Sequence, residues 1–177
     1  MTTNGTRYVL AIVLMIILVA VTGRGAPALP RMLSGKMAPW QQVVGTWGCT
    51  LHFDAVGGRP AEVGSVGVSA VVAPGNVLHW HFRGSGYEAD DFNGYSGTAK
   101  VWWEAGADTG GNATLMRSPD GIVFTQVSDS TSSIEGDRSK SRVTYKLNPD
   151  NTFEQVEEQQ DGSTWRRDSE MFCRNAP

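Results

Sequence analysis

Cysteine is scarce in this 177-residue chain, which holds only Cys49 and Cys173. No C-x-x-C pair and no third cysteine occurs, which excludes a dithiol redox motif and a cysteine-based zinc site. Histidine is nearly as rare, with His52, His79 and His81 alone. Basic charge is thin and scattered. Residues 1–25 carry Arg7 and Arg24 and no acid, so the 15 Lys and Arg less these two oppose 18 acids in the rest of the chain. Only Arg138, Lys140 and Arg142 form a loose group. Nucleic-acid binding needs a concentrated basic face, so nucleic acid is excluded as a partner. Nucleophile elbows, P-loops and H-E-x-x-H are missing, so no catalytic residue is assigned and no cofactor is expected. Beyond the first 25 residues no stretch shows sustained helical periodicity.

The apolar residues gather first in YVLAIVLMIILVAV, Tyr8 to Val21, behind a short polar start with one cation, Arg7. The small residues of TGRGA follow, before Pro27. A charged start, an apolar middle and a small-residue exit describe a secretory signal peptide. Residues 1–25 are read as that leader, cleaved after Gly23 or Gly25. The run falls short of the roughly 20 residues a spanning helix needs. No membrane contact is expected after cleavage, and the protein is placed in the periplasm or outside the cell. The alternative is an uncleaved anchor that tethers it to the membrane.

Residues 26–41 mix Pro, Gly and Ser with scattered apolars and read as a linker or short helix. Residues 42–177 form the domain. Its texture is β: the chain has 21 glycines, and segments of alternating polarity are parted by turn signals. Strands are expected near 44–53, 63–73, 76–84, 97–105, 112–118, 121–128, 141–147, 152–159 and 164–173, with a short extra one near 87–93. Ser118-Pro119-Asp120-Gly121, Asn148-Pro149-Asp150-Asn151 and Asp161-Gly162 are tight-turn sequences. The fold class is all-β, a sandwich or an antiparallel up-and-down barrel of about 8–10 strands.

Alternation assigns faces. Trp47, Cys49, Leu51 and Phe53 share one side of the first strand. On the last strand Trp165, Arg167, Ser169, Met171 and Cys173 share a side. An exported chain meets an oxidising compartment, so a Cys49–Cys173 disulfide is expected. If the first and last strands pair, the two sulfurs meet and the sheet closes on itself, which favours the barrel.

Val44-Gly45-Thr46-Trp47 resembles the G-x-W signature of lipocalins and their calycin relatives. The pattern VGTWGCT, followed much later by DGSTWRRDSEMFCR, is similar to a group of uncharacterised bacterial exported calycin-like proteins over residues 42–173. The resemblance implies that Gly45 and Trp47 mark one end of a barrel, with Trp47 plugging it. It also implies a basic partner for Trp47 from the last strand, Arg166 or Arg167. What it implies is fold, not chemistry.

In VLHWHF, Val77 to Phe82, two histidines stand two apart, as one face of a zinc site would require. Leu78, Trp80 and Phe82 claim the inner face, however, so His79 and His81 look outward, as does His52. No metal site is assigned. Glu88 to Gly94 has the acid density of a calcium loop. Its spacing puts Ala89 and Lys100 at ligand positions, so an acidic surface loop is expected there. The adjacent pairs Asp90-Asp91 and Glu157-Glu158 imply no close carboxylates, because neighbours on a strand face opposite ways. Asn112-Ala113-Thr114 is a formal glycosylation sequon, idle if the protein is bacterial.

Aromatic surface is plentiful. Trp102 and Trp103 are adjacent, so one of them must face away from the interior. The cavity is expected to be lined by Leu51, Trp80, Phe82, Trp103, Phe124 and Tyr145. Arg167, with Arg117 as a further candidate, would be a charge near the interior, anchoring a ligand carboxylate or stacking on Trp47. The expected function is non-catalytic binding of a small apolar or amphipathic ligand. The alternatives are an enzyme on the same scaffold, using Arg167 and Tyr95, or an envelope structural or interaction protein with a filled barrel. A lumen of several hundred Å3 separates the first from the last, and ionisable groups converging inside would favour catalysis.

Overall fold

The computed structural model describes residues 31–55, 60–127 and 140–176. The proposed leader and Arg138 lie outside them. The description concerns the compact unit Met32–Pro177.

Ten strands follow one another: β1 Gly45–Phe53, β2 Glu62–Ala73, β3 Val77–Gly84, β4 Tyr87–Ser96, β5 Val101–Asp108, β6 Ala113–Ser118, β7 Val123–Gln126, β8 Ser141–Leu147, β9 Thr152–Asp161 and β10 Thr164–Asn175. Each pairs with the next, and β10 returns to pair with β1 in a closed antiparallel barrel. Closure removes both sheet edges. In the β1–β10 register Cys49 stands directly opposite Cys173, and the two are joined across 124 residues of sequence.

Alternation fills the interior as the sequence pattern requires. Trp47, Cys49, Val66, Val68, Ala70, Leu78, Trp80 and Phe82 are all buried. The turn between β6 and β7 shows how tightly one end is closed. Gly121 has φ +77°, and a Cβ there would sit 2.6 Å from Trp102 Cε2. Only glycine supplies both the backbone angle and the room.

A 3-10 helix, Gly35–Val43, seals that end with Met37, Trp40 and Val43. Asn76, in the β2–β3 turn, holds its start: Ser34 N donates to Asn76 Oδ1 at 2.8 Å, and Asn76 Nδ2 donates to Ser34 O at 3.1 Å. Trp40 enters the barrel floor edge-on, 5.1 Å from Tyr145 and 6.1 Å from Trp80 between ring centroids. Leu33, Met37 and Trp40, in the segment read as a linker or short helix, are therefore part of the core.

Three expectations are corrected. The short strand expected near 87–93 is present as β4, a full ten-residue strand, so residues 88–94 are not a surface loop, and β5 begins at Val101 rather than near residue 97. Second, among the described residues no arginine stacks on Trp47. Its indole Nε1 donates to Val43 O at 2.8 Å and its ring meets Phe153 edge-on at 5.1 Å. Third, a β-bulge between Arg167 and Ser169 breaks the alternation counted along β10. Ser169, Met171 and Cys173 face in, whereas Arg167 stands opposite Glu158 on the outer face. The Trp165 ring likewise packs under the Arg142 guanidinium at 4.5 Å.

Candidate functional site

The barrel interior is graded. Around the 3-10 helix it is solid aromatic and aliphatic packing. Toward the other end, where β3 turns into β4 and β5 into β6, polar side chains take over and a cavity opens. It has two lobes of about 310 and 320 Å3 that share Tyr87, Asp91, Gln155 and Glu157 as common wall. One lobe is mostly polar, with Glu104, Asp108, Thr114, Gln126 and Gln159. The other is mostly apolar, with Leu51, Phe53, Val66, Phe82 and Met171.

A buried chain of hydrogen bonds forms the boundary between packed core and cavity. Trp80 Nε1 donates to Asn93 Oδ1 at 2.6 Å, and Asn93 Nδ2 donates to Glu104 Oε2 at 2.7 Å. Tyr145 Oη donates to the same Glu104 oxygen at 2.9 Å. Asn93 is 0% exposed and Glu104 4%, so the network holds Glu104 in one place, at the edge of the polar lobe. Burial pushes the Glu104 carboxyl above its ordinary range, against the pull of the Asn93 and Tyr145 donors. The Tyr145 phenol is pushed well up by burial and then by Glu104.

Asp91 lies one strand away, with Gly106 opposite it in the β4–β5 register. A Cβ at residue 106 would overlap Asp91 Oδ1, so the missing side chain makes a notch for the carboxyl. Asp91 is enclosed by protein on most sides, and the surface it keeps lines both lobes. Burial, and then the neighbouring charges of Glu104 and Glu157, raise its pKa well above the usual carboxylate range. The Tyr87 phenol beside it is raised by burial first and by Asp91 next. Among the described residues, those lining the two lobes include no Lys, Arg or His. The lumen is acidic and unbalanced.

The expected cavity residues separate into three groups. Leu51 and Phe82 line the apolar lobe. Trp80, Phe124 and Tyr145 lie in the packed floor, at 0%, 0% and 3% exposure, with Tyr145 contributing its hydroxyl to the network. Trp103 and Arg167 are outside. The interior goes to Trp102, which the structure buries. Trp103 sits on the outer wall opposite Arg117 in the β5–β6 register, so Arg117 is not an interior charge either. Arg167 is bound on the outside by Asp54, at 2.8 Å from Nε, and by Glu170, at 2.6 Å from Nη1. Tyr95 packs edge-on against Trp102 at 5.4 Å, near the floor.

Counting from Trp103 rather than Trp102 displaces the whole face of β5 by one residue. With the count corrected, Glu104, Gly106 and Asp108 turn inward. The paired acids are then divided: Asp91 and Glu157 line the cavity, while Asp90 and Glu158 make ion pairs on the outer wall.

On that outer wall His79 Nε2 and His81 Nδ1 both reach Asp90 Oδ1, at 2.7 and 3.1 Å. His79 stacks on Phe92 with 4.5 Å between centroids. These hydrogen bonds, chiefly that of His79, hold Asp90 below its ordinary pKa. Among the described residues no cluster of three or more His, Cys, Asp or Glu side chains is arranged to hold a metal ion.

Neither protein-family models nor curated proteins give any match to this sequence.

Proposed function

We propose that the chain is an exported calycin-like barrel that binds a small amphipathic molecule in its half-open cavity without transforming it. The observation that carries this reading is the division of the interior: a packed floor beneath two joined lobes, one greasy and one polar, each about 310 to 320 Å3. Ligand sites usually run from roughly 300 to 1,000 Å3. A filled structural barrel would have no reason to keep an open polar end. The apolar lobe favours a hydrocarbon or aryl body, since each Å2 of apolar surface removed from water contributes roughly 25 cal/mol.

The G-x-W start at Gly45 and Trp47 supports the calycin assignment. The Cys49–Cys173 bridge supports an oxidising compartment, as does the signal-like sequence of residues 1–25. No helix among the described residues is long and apolar enough to cross a membrane.

Native mass spectrometry of the protein purified from its producing cells tests the reading. The expected spectrum shows an added mass of a few hundred daltons, lost on collisional activation. A spectrum of bare chain, together with no ligand-induced rise in melting temperature across a library of amphipathic small molecules, would overturn it.

A second reading has its own support. Asp91 and Glu104 converge in one cavity with raised pKa values, as a general acid would require. Turnover of a bound compound, abolished by Asp91→Asn, would replace the binding reading with this one.

A further inference from the structure

If the cavity is a binding site, as proposed above, its shared wall also specifies the ligand's head group. Two groups on that wall lack partners. Among the described residues, the half-buried Asp91 lines both lobes, keeps its carboxyl open to the cavity, and has neither a hydrogen-bond donor nor a cationic partner. Next to it, Gln155 lines both lobes as well, and its Oε1 is shut in with no donor. Glu104 and Glu157 face the same space. A shut-in acceptor such as Gln155 Oε1 is unfavourable without a donor, so native interiors rarely keep one. The Gly106 notch shows that the Asp91 carboxyl is accommodated by the wall's shape.

What fits a wall of acceptors is a group made of donors. An ammonium brings three N–H donors and the positive charge that the lining residues lack. A carboxylate or phosphate would meet four acids, Asp91, Glu104, Asp108 and Glu157, and no cation. A hydroxyl offers one donor and no charge. We infer that the wall shared by the two lobes, centred on Asp91, binds the ammonium group of an amphipathic amine whose apolar body lies along Leu51, Phe82 and Met171.

The interaction is proton-linked. Around Asp91 stand Tyr87 and Asp90 on its own strand, Glu104 and Asp108 on β5, Tyr145 on β8 and Glu157 on β9. These groups and the enclosure favour the neutral carboxyl in the empty cavity. An arriving ammonium favours the carboxylate, so binding drives a proton off. Amine affinity therefore rises with pH until the amine itself deprotonates, near pH 10 for an alkylamine by analogy with the lysine side chain, about 10.4.

Isothermal titration of the purified protein with octylammonium, octan-1-ol and octanoate tests this, because the three share one apolar body. The expected result is octylammonium binding at least about tenfold more tightly than the alcohol, the equivalent of one charge-assisted hydrogen bond, with octanoate weakest. Asp91→Asn should erase the preference for the amine, bringing octylammonium down to the affinity of octan-1-ol. If that variant does not fold, titration of the unaltered protein in two buffers of different ionisation heat decides: protons should be released by the amine and not by the alcohol. Equal affinity for amine and alcohol, or no proton release, overturns the head-group inference while leaving the cavity-binding reading in place. Binding of none of the three overturns the head-group inference as well, and the cavity-binding reading is then decided by the native mass spectrum and ligand library described above.

Discussion

Asp91 and Glu104 are carboxyls that the fold tolerates at a disadvantage. Each has its pKa raised in the folded chain, chiefly by burial. The sign of the consequence follows from linkage: a folded state that holds a proton more tightly than the unfolded chain loses stability as pH rises. The contribution is fully present below the ordinary pKa values of 3.8 and 4.5, and it disappears as pH climbs through the raised ones. Asp91→Asn keeps the shape and removes the titration. The variant should melt higher than the parent at pH 8, by on the order of 1 kcal/mol or more. The difference should shrink toward pH 4, where the carboxyl of the unfolded chain also begins to take up its proton. Melting curves from pH 4 to 9 measure this, and an equal gap at every pH would mean that Asp91 is not titrating in its buried site. The surface acids act the other way. Asp54 and Asp90 have lowered pKa values through their bonds to Arg167 and His79, and what they contribute is lost as pH falls.

Among the secondary elements, the 3-10 helix and the β1–β10 seam hold the closed end. Trp40 is 3% exposed and meets Trp80, Trp102, Phe124 and Tyr145. Removing so large a buried ring typically costs about 3–5 kcal/mol. Trp40→Ala should therefore lower stability by that amount in chemical denaturation, whereas a loss below about 1 kcal/mol would show that the helix merely rests on the barrel. At the seam, Cys49→Ser leaves the strand pairing from Trp47–Asn175 to Phe53–Ser169 available but frees a long loop in the unfolded chain. A loss of about 2–5 kcal/mol is expected, and dithiothreitol should lower the melting temperature of the parent but not of the variant. The seam was legible in the sequence because Trp47, Cys49, Leu51 and Cys173, Met171 alternate cleanly on two strands. β4 was legible only as a short extra strand near 87–93, beside a competing reading as an acidic loop. Two of its inward residues, Asp91 and Asn93, are polar, so YEADDFNGYS lacks the apolar alternation that announces a strand. The residues that make it a site are those that weakened its strand pattern. β10 misled for a different reason, since a bulge adds one residue to the count and nothing local in TWRRDSEM marks it. On β5 two tryptophans in succession left the face open, and only packing chose Trp102.

For the whole molecule, the gradient along the barrel axis divides stability from binding. The floor, the 3-10 helix and the disulfide lie at one end, and the cavity at the other opens among side chains that the core does not need. Changes at the open end should therefore alter binding without loosening the fold. Gly64 tests this division. It lies on β2 opposite Leu51, lines the apolar lobe, and a Cβ built there meets nothing within 4 Å. Its φ is not in the left-handed region, so a larger residue imposes no backbone strain. Gly64→Leu should project an isobutyl group into the lobe beside Leu51 and Phe53. Glycine weakens a strand interior, so the variant should be as stable as the parent or better by about 0.4–1 kcal/mol. Its affinity for any molecule seated in that lobe should fall at least about tenfold, the equivalent of roughly 1.4 kcal/mol. Thermal melts and octylammonium titration on the same preparation read both quantities. A variant that binds as well as the parent would move the ligand's apolar body out of this lobe, and one that melts lower would show that the open end, too, is part of what holds the barrel together.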